Sequence, residues 1–215
     1  MLGDELPLDV ESLFRRIVVN RRGGYCFEQN GLLFAVLEEL GFNVTLYLAR
    51  VIHNRDVHPG LTHRISLVEI DGKRYVADVG FGPQGPRYPV SMTGEASHEN
   101  FREFSIEERH PGEHYMQTLE DGAYFSLYKF ELVRYGEADC ELGHFYSHKH
   151  PKATFVNNLV VSKILDTEVR SLRNKTFCLI DESGKQCHPV TGGTEMREML
   201  DTRFGVTVNE EEGDR

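Results

Sequence analysis

Cys26, His63 and Asp78 are the residues of this chain whose types and spacing can do chemistry together. A thiol is a nucleophile, an imidazole can take its proton, and a carboxylate can hold that imidazole in the right tautomer. The chemistry would be acyl transfer through a thioester on the cysteine. Cys26 follows Gly23-Gly24 and opens a segment with helical patterning. Glycines allow the sharp turn, and a helix N-terminus offers unpaired N–H groups and a positive dipole end. Both stabilise negative charge on sulfur, and the same N–H groups can receive the oxyanion of a tetrahedral intermediate. Taken alone, Cys26 reads as a small buried hydrophobe, as free cysteines often are.

A hairpin alters that reading. Two alternating runs, 63–70 and 73–79, flank Asp71-Gly72, a strong signal for a two-residue turn. Ile70 then faces Lys73, and the ladder carried onward sets Asp78 opposite Ile65. His63 lies two residues from Ile65, so His63 and Asp78 share one face as diagonal neighbours. Such neighbours are roughly 7–8 Å apart at the backbone, within reach of an imidazole–carboxylate hydrogen bond. Each residue alone could simply end or start a strand; the pair is harder to explain that way.

The elements that must position these groups follow from periodicity. A first helix is expected over 10–19 with Asp9 as N-cap, burying Val10, Leu13, Phe14, Ile17 and Val18. Arg21-Arg22-Gly23-Gly24 interrupts it. A second helix over 27–40 turns Leu33, Val36, Leu37 and Leu40 inward and stops at Gly41. Strands follow at 44–48, in the hairpin, and near 103–106, 114–118, 124–131 and 177–180. Residues 152–165 suit a helix start or a buried strand, and a last helix is expected over 194–203 with Thr194 as cap. The tail Asn209-Glu210-Glu211-Glu212 is expected to fray. Helices first, then antiparallel strands, then a mixed end make an α+β chain.

At this point the residues carry a resemblance. Arg22-Gly23-Gly24-Tyr25-Cys26-Phe27-Glu28-Gln29-Asn30, then Thr62-His63-Arg64, then Asp78-Val79-Gly80-Phe81-Gly82 resemble the arylamine N-acetyltransferase family, whose signature is RGG-x-C-x-E, a histidine heading a hairpin, and D-V-G-F-G. A weaker likeness runs through 144–155, where the family usually shows N-x-Y-x-S-T-x-P-x-S-x-F. Here His144 replaces Asn, His148 replaces Thr, and Ala153-Thr154 alters the serine position. The resemblance implies a helical part over 1–42 carrying the nucleophile, a β-barrel-like part over 43–146 carrying His63 and Asp78, and an α/β lid over 147–215, on a cysteine-protease-like core. It also implies that the chain starts late, without helices that family members carry upstream. The implied reaction is ping-pong: Cys26 takes acetyl from acetyl-CoA and gives it to an arylamine, arylhydrazine or N-hydroxyarylamine. His63 serves as base then acid, and Asp78 orients it. Phe27, Thr62, Gly80, Phe81 and Gly82 are the candidate substrate-binding residues, with Phe81 a wall for an aromatic acceptor. Glu28 is expected to brace the Arg22-Gly23-Gly24 turn. The segment 80–86 also reads as an ordinary glycine-rich turn.

Composition narrows the field. A formal charge of −10 and a pI near 5.5, with no Lys/Arg-rich block, argue against nucleic acid as partner. No stretch has the apolar length of a membrane span, and the first residues do not resemble a signal peptide. Four cysteines without a CxxC pair suggest reduced thiols and a cytoplasmic protein. The protein is expected to be a monomer or a homodimer. Several rivals share these features: a Cys-His-Asp thioester or amide hydrolase, a macrolactam-forming amide synthase, and an inactive remnant. A metal module built on Cys26 with His53, His58 and His63, or on His144, His148 and His150, lacks the paired spacing of zinc sites. No metal is expected.

Overall fold

A computed structural model of the chain describes residues 5–208. Helix α1 spans Val10–Phe14, and a π-helical turn, Arg15–Val19, carries it to the expected end. The Asp9 carboxylate accepts the Ser12 N–H at 2.9 Å, closing the N-terminus as the sequence suggests. Helix α2 spans Cys26–Glu39. Strands β1 (Asn43–Val51), β2 (His63–Ile70) and β3 (Lys73–Ala77) follow, then the short β4 (Val90–Ser91) and β5 (Ser97–Glu99). A meander of β6 (Arg102–His110), β7 (Glu113–Glu120) and β8 (Ala123–Glu131) comes next. Helices α3 (Glu137–Lys149) and α4 (Thr154–Asn157) lead to β9 (Val160–Ile164), β10 (Val169–Arg173), β11 (Thr176–Asp181) and β12 (Gly184–Pro189). Helix α5 spans Gly193–Met199, and a π-helical turn follows over Leu200–Phe204.

The eight strands β1–β8 form one antiparallel sheet ordered β4-β3-β2-β1-β8-β7-β6-β5. The sheet is nearly closed, because β4 comes back against β6. Its interior is filled by Ile65, Val76, Phe104, Ile106, Met116, Leu127, Tyr128 and Phe130. The Asp71-Gly72 turn has both residues at positive φ, 51° and 73°, as a hairpin turn of the primed type requires. The register Ile70–Lys73 through Ser66–Ala77 is the one expected from that turn. A second sheet, β12-β11-β10-β9, packs Leu172 and Phe177 against Leu200 and Phe204. Among the described residues no helix is long and apolar enough to cross a membrane.

Several expectations are corrected. Strand β3 ends at Ala77, so Asp78 and Val79 leave the ladder. The first helix buries Leu13 but exposes Val10, Phe14 and Val18, and α2 exposes Val36 and Leu40. What α1 packs against is α2, with Leu13 against Gly31, and among the described residues no layer covers the other face. The 152–165 region is both things in turn, a single helical turn and then β9. The last helix starts one residue early and is entered from Gly192 rather than capped by Thr194. Helix α3 was not expected at all, and it runs across position 146. Cys178 and Cys187 are not free thiols: directly opposite each other on β11 and β12, they form a disulfide. Cys26 and Cys140 remain free and buried. The tail beyond Val208 lies outside the described residues.

Candidate active site

Cys26 is the first residue of α2 and is only 4 % exposed. Its thiol donates to the Thr62 carbonyl at 3.5 Å, from the loop that ends at β2, and also meets the His63 imidazole. His63 opens β2, and its Nε2 lies 2.7 Å from Asp78 Oδ2. With Nε2 engaged by the carboxylate, Nδ1 is the nitrogen left to take the thiol proton. Both members of the pair are buried. Burial disfavours the charged form of each, but their mutual attraction and hydrogen bond outweigh it. The His63 imidazole is raised above its usual range, and the Asp78 carboxyl is held below its own.

Asn30 completes this arrangement, and sequence reasoning assigned it no role. It is fully buried one turn beyond Cys26 on α2. Its Nδ2 donates to Asp78 Oδ1 at 2.8 Å and to the Arg64 carbonyl at 2.6 Å, while its Oδ1 accepts the Val79 N–H at 2.9 Å. The Gly80 N–H also donates to Asp78 Oδ1, at 2.9 Å. One carboxylate oxygen is thus held by Asn30 and Gly80, and the other is presented to His63. The available signal was spacing, since residues four apart on a helix share a face.

Of the other candidates, Gly80 presses on Cys26: a Cβ there would lie 2.6 Å from its Cα. The Phe81 ring stands edge-on to His63 at 5.3 Å and tilts against Tyr128 at 5.2 Å. Gly82, at φ 95°, faces Ser162 of β9. Thr62 contributes its carbonyl. The Phe27 side chain is wholly buried beneath Gly143 of α3, so only its backbone N–H at the first turn of α2 is left for a ligand. Glu28 braces the turn as expected, but through Arg16, at 2.9 Å, and the Tyr25 N–H, at 3.1 Å. Arg22 instead reaches the Thr207 carbonyl at 2.9 Å, and the Thr207 N–H donates to the Arg21 carbonyl at 2.9 Å.

Behind Cys26 lies a neutral histidine, His144. Tyr25, the residue before Cys26, donates its hydroxyl to His144 Nδ1, and His144 Nε2–H donates to the Leu6 carbonyl at 2.7 Å. Burial, with the nearby His148 and Lys149, lowers the His144 pKa to about 4 despite the favourable Leu6 carbonyl. The unfolded chain binds this proton near pH 6.5, so it holds more protons than the folded chain between those values. Stability therefore falls as pH drops from 6.5 towards 4, by about 3 kcal/mol from this group. His144→Asn keeps a donor and an acceptor but cannot titrate. Urea unfolding across pH 7 to 4.5 should show a smaller acid loss for His144→Asn than for the native chain. The difference isolates His144 from the His63–Asp78 pair; identical slopes would refute the assignment.

The chain is similar to known proteins over most of its length. A family model described as N-acetyltransferase matches residues 1–212. The arylamine N-acetyltransferase of Mycolicibacterium smegmatis is 32% identical over 212 residues, covering 94% of this chain and 76% of that one. The solved arylamine N-acetyltransferase of Salmonella typhimurium superposes with a TM-score of 0.92 at 29% identity, over 98% of this chain and 81% of that one. The Mycobacterium marinum arylamine N-acetyltransferase solved in complex with CoA gives a TM-score of 0.91 at 26% identity, over 98% and 81%. A likeness of this extent makes the protein an acetyltransferase enzyme. More narrowly, the chain belongs to the arylamine N-acetyltransferase family.

Proposed function

We propose that the protein moves an acetyl group from acetyl-CoA to an aromatic amine, hydrazine or N-hydroxyarylamine in two half-reactions through Cys26. The observation that carries this reading is the Cys26–His63–Asp78 alignment at the N-terminus of α2, in a chain of this family. In the first half, Cys26 Sγ attacks the thioester carbonyl carbon while His63 Nδ1 takes the thiol proton. The N–H groups of the first turn of α2 receive the developing oxyanion. The coenzyme sulfur leaves with the proton from His63, and acetyl-Cys26 remains. In the second half, the amine nitrogen attacks that acetyl carbon, His63 takes the amine proton, and Cys26 leaves as the thiol. Asp78 holds the imidazole throughout. Phe81, Gly80, Gly82 and Thr62 form the acceptor's surroundings.

We read the helix-on-sheet arrangement as a cysteine-protease-like core, with the second sheet as its lid. The M. marinum relative solved with CoA supports the choice of acyl donor. Intact mass after brief exposure to acetyl-CoA alone should show one added acetyl group, mapped to the Cys26 peptide and discharged by an arylamine. A folded protein that gains no acetyl group overturns the reading. An adduct that water clears as fast as amine does would make the enzyme a hydrolase.

A further inference from the structure

The loop from β1 to β2 turns at His53 and Asn54, which both adopt left-handed backbone, φ 46° and 56°. Two successive non-glycine residues in that region are unfavourable, and such conformations persist where surrounding structure enforces them. Here β8 does so. The Ile52 and His53 N–H groups both donate to the Leu127 carbonyl, at 3.0 and 3.1 Å, and the Asn54 N–H donates to the Ser126 carbonyl at 2.7 Å. The Ser126 N–H returns a bond to Asn54 Oδ1 at 3.3 Å.

This turn delivers the His53 ring to Phe81, 5.8 Å centroid to centroid. Phe81 in turn meets His63. At its other end the same loop supplies the Thr62 carbonyl to Cys26. The loop therefore runs across the site, with the nucleophile at one end and His53 at the other. His53 is exposed, and among the described residues no group takes up its ring nitrogens. Desolvation of the covered part of the ring and the nearby Arg55 lower its pKa, so at neutral pH the imidazole offers one donor and one acceptor.

We infer that His53 is a specificity-determining residue of the acceptor site, donating a hydrogen bond to a carboxylate or carbonyl on the aryl ring at the end far from the amine. This assignment rests on the acyl-transfer function proposed above. An aryl ring lying on Phe81 with its amine at acetyl-Cys26 directs its opposite end away from His63. His53 is the other imidazole that meets the Phe81 ring, 5.8 Å away, and it comes from the far end of the loop whose near end reaches Cys26. Hydrogen bonds to charged groups are among the stronger ones, so loss of this one should be legible in the acceptor's half-saturating concentration.

The test uses enzyme already acetylated on Cys26, with transfer followed in single turnovers and scaled to the acetyl group loaded. Two acceptors are compared: 4-aminobenzoate, and 4-methylaniline, which has the same ring but no hydrogen-bonding substituent. Two variants guard against a folding artefact. His53→Phe keeps a ring against Phe81, and His53→Asn suits the left-handed backbone. The half-saturating concentration of 4-aminobenzoate should rise about tenfold more than that of 4-methylaniline in both. Equal rises for the two acceptors, or none for either, would overturn the assignment while leaving acyl transfer intact. Failure of the native chain to load acetyl on Cys26 would remove the function and this assignment together.

Discussion

Asp78→Asn should lower kcat/KM by about a thousandfold to ten-thousandfold while leaving the fold in place, the scale seen when a triad carboxylate becomes an amide. The reason lies in which atoms are held. Asn30 and Gly80 both donate to Asp78 Oδ1. In the variant, the amide oxygen takes that position, because only oxygen can accept from two donors. The amide nitrogen must then face His63. It is a donor, so Nε2 of His63 has to become an acceptor and the ring proton moves to Nδ1. That is the nitrogen that receives the Cys26 proton in the proposed reaction, and it is now occupied. The burst of coenzyme released on mixing with acetyl-CoA checks this: its rate should collapse while urea and thermal midpoints move little. A variant that keeps its burst rate would show that Asp78 does not control the tautomer.

Gly80→Ala should be nearly as damaging, for a steric reason. The added methyl carbon would lie 2.6 Å from Cys26 Cα and 2.8 Å from Asn30 Nδ2. Neither can yield easily, since one is helix backbone and the other is fixed by hydrogen bonds to Asp78, Arg64 and Val79. The loop must retreat instead, drawing the Gly80 N–H off Asp78 and moving Phe81. Overpacking of this kind costs about 1–3 kcal/mol, and a displacement of about 1 Å can cost about a hundredfold in rate. Gly136→Ala is a suitable control, because nothing lies within 4 Å of a Cβ there. Parallel thermal melts and initial rates would separate the two. Equal activity of both variants would mean that the loop does not press on Cys26.

The hairpin was legible because a two-residue turn sets a register, and a register sets faces. The ladder nonetheless stops one residue short of Asp78, so the His63–Asp78 bond owes as much to Asn30 and Gly80 as to strand pairing. Hydrogen bonds of that sort leave no periodicity to read. Helix α3 was invisible for the opposite reason to the usual one. Its inward residues are Cys140, Gly143, His144 and Ser147, while Leu142, Phe145 and Tyr146 face out. Hydrophobic periodicity, read along such a helix, points the wrong way. The inward side is small or polar because it must approach closely: a Cβ on Gly143 would lie 2.5 Å from the Leu61 carbonyl and 2.6 Å from the Phe27 ring. Strand β12, exposed at every residue, had no alternation to detect. On α1 and α2 the apolar stripes did mark helices, but they did not mark what those helices bury.

The bond between Arg22 and Thr207 spans 185 residues of chain. Cys26, His63 and Asp78, by contrast, are close in sequence, and the β2–β3 hairpin that carries two of them closes over a two-residue turn. Local pairings of that kind form fast, whereas contacts between distant parts of a chain bear the entropy of closing a large loop first. During synthesis Cys26, His63 and Asp78 emerge well before Thr207 and can approach one another. The turn that leads into Cys26 does not receive the two hydrogen bonds it shares with Thr207 until that residue has been made and has folded back.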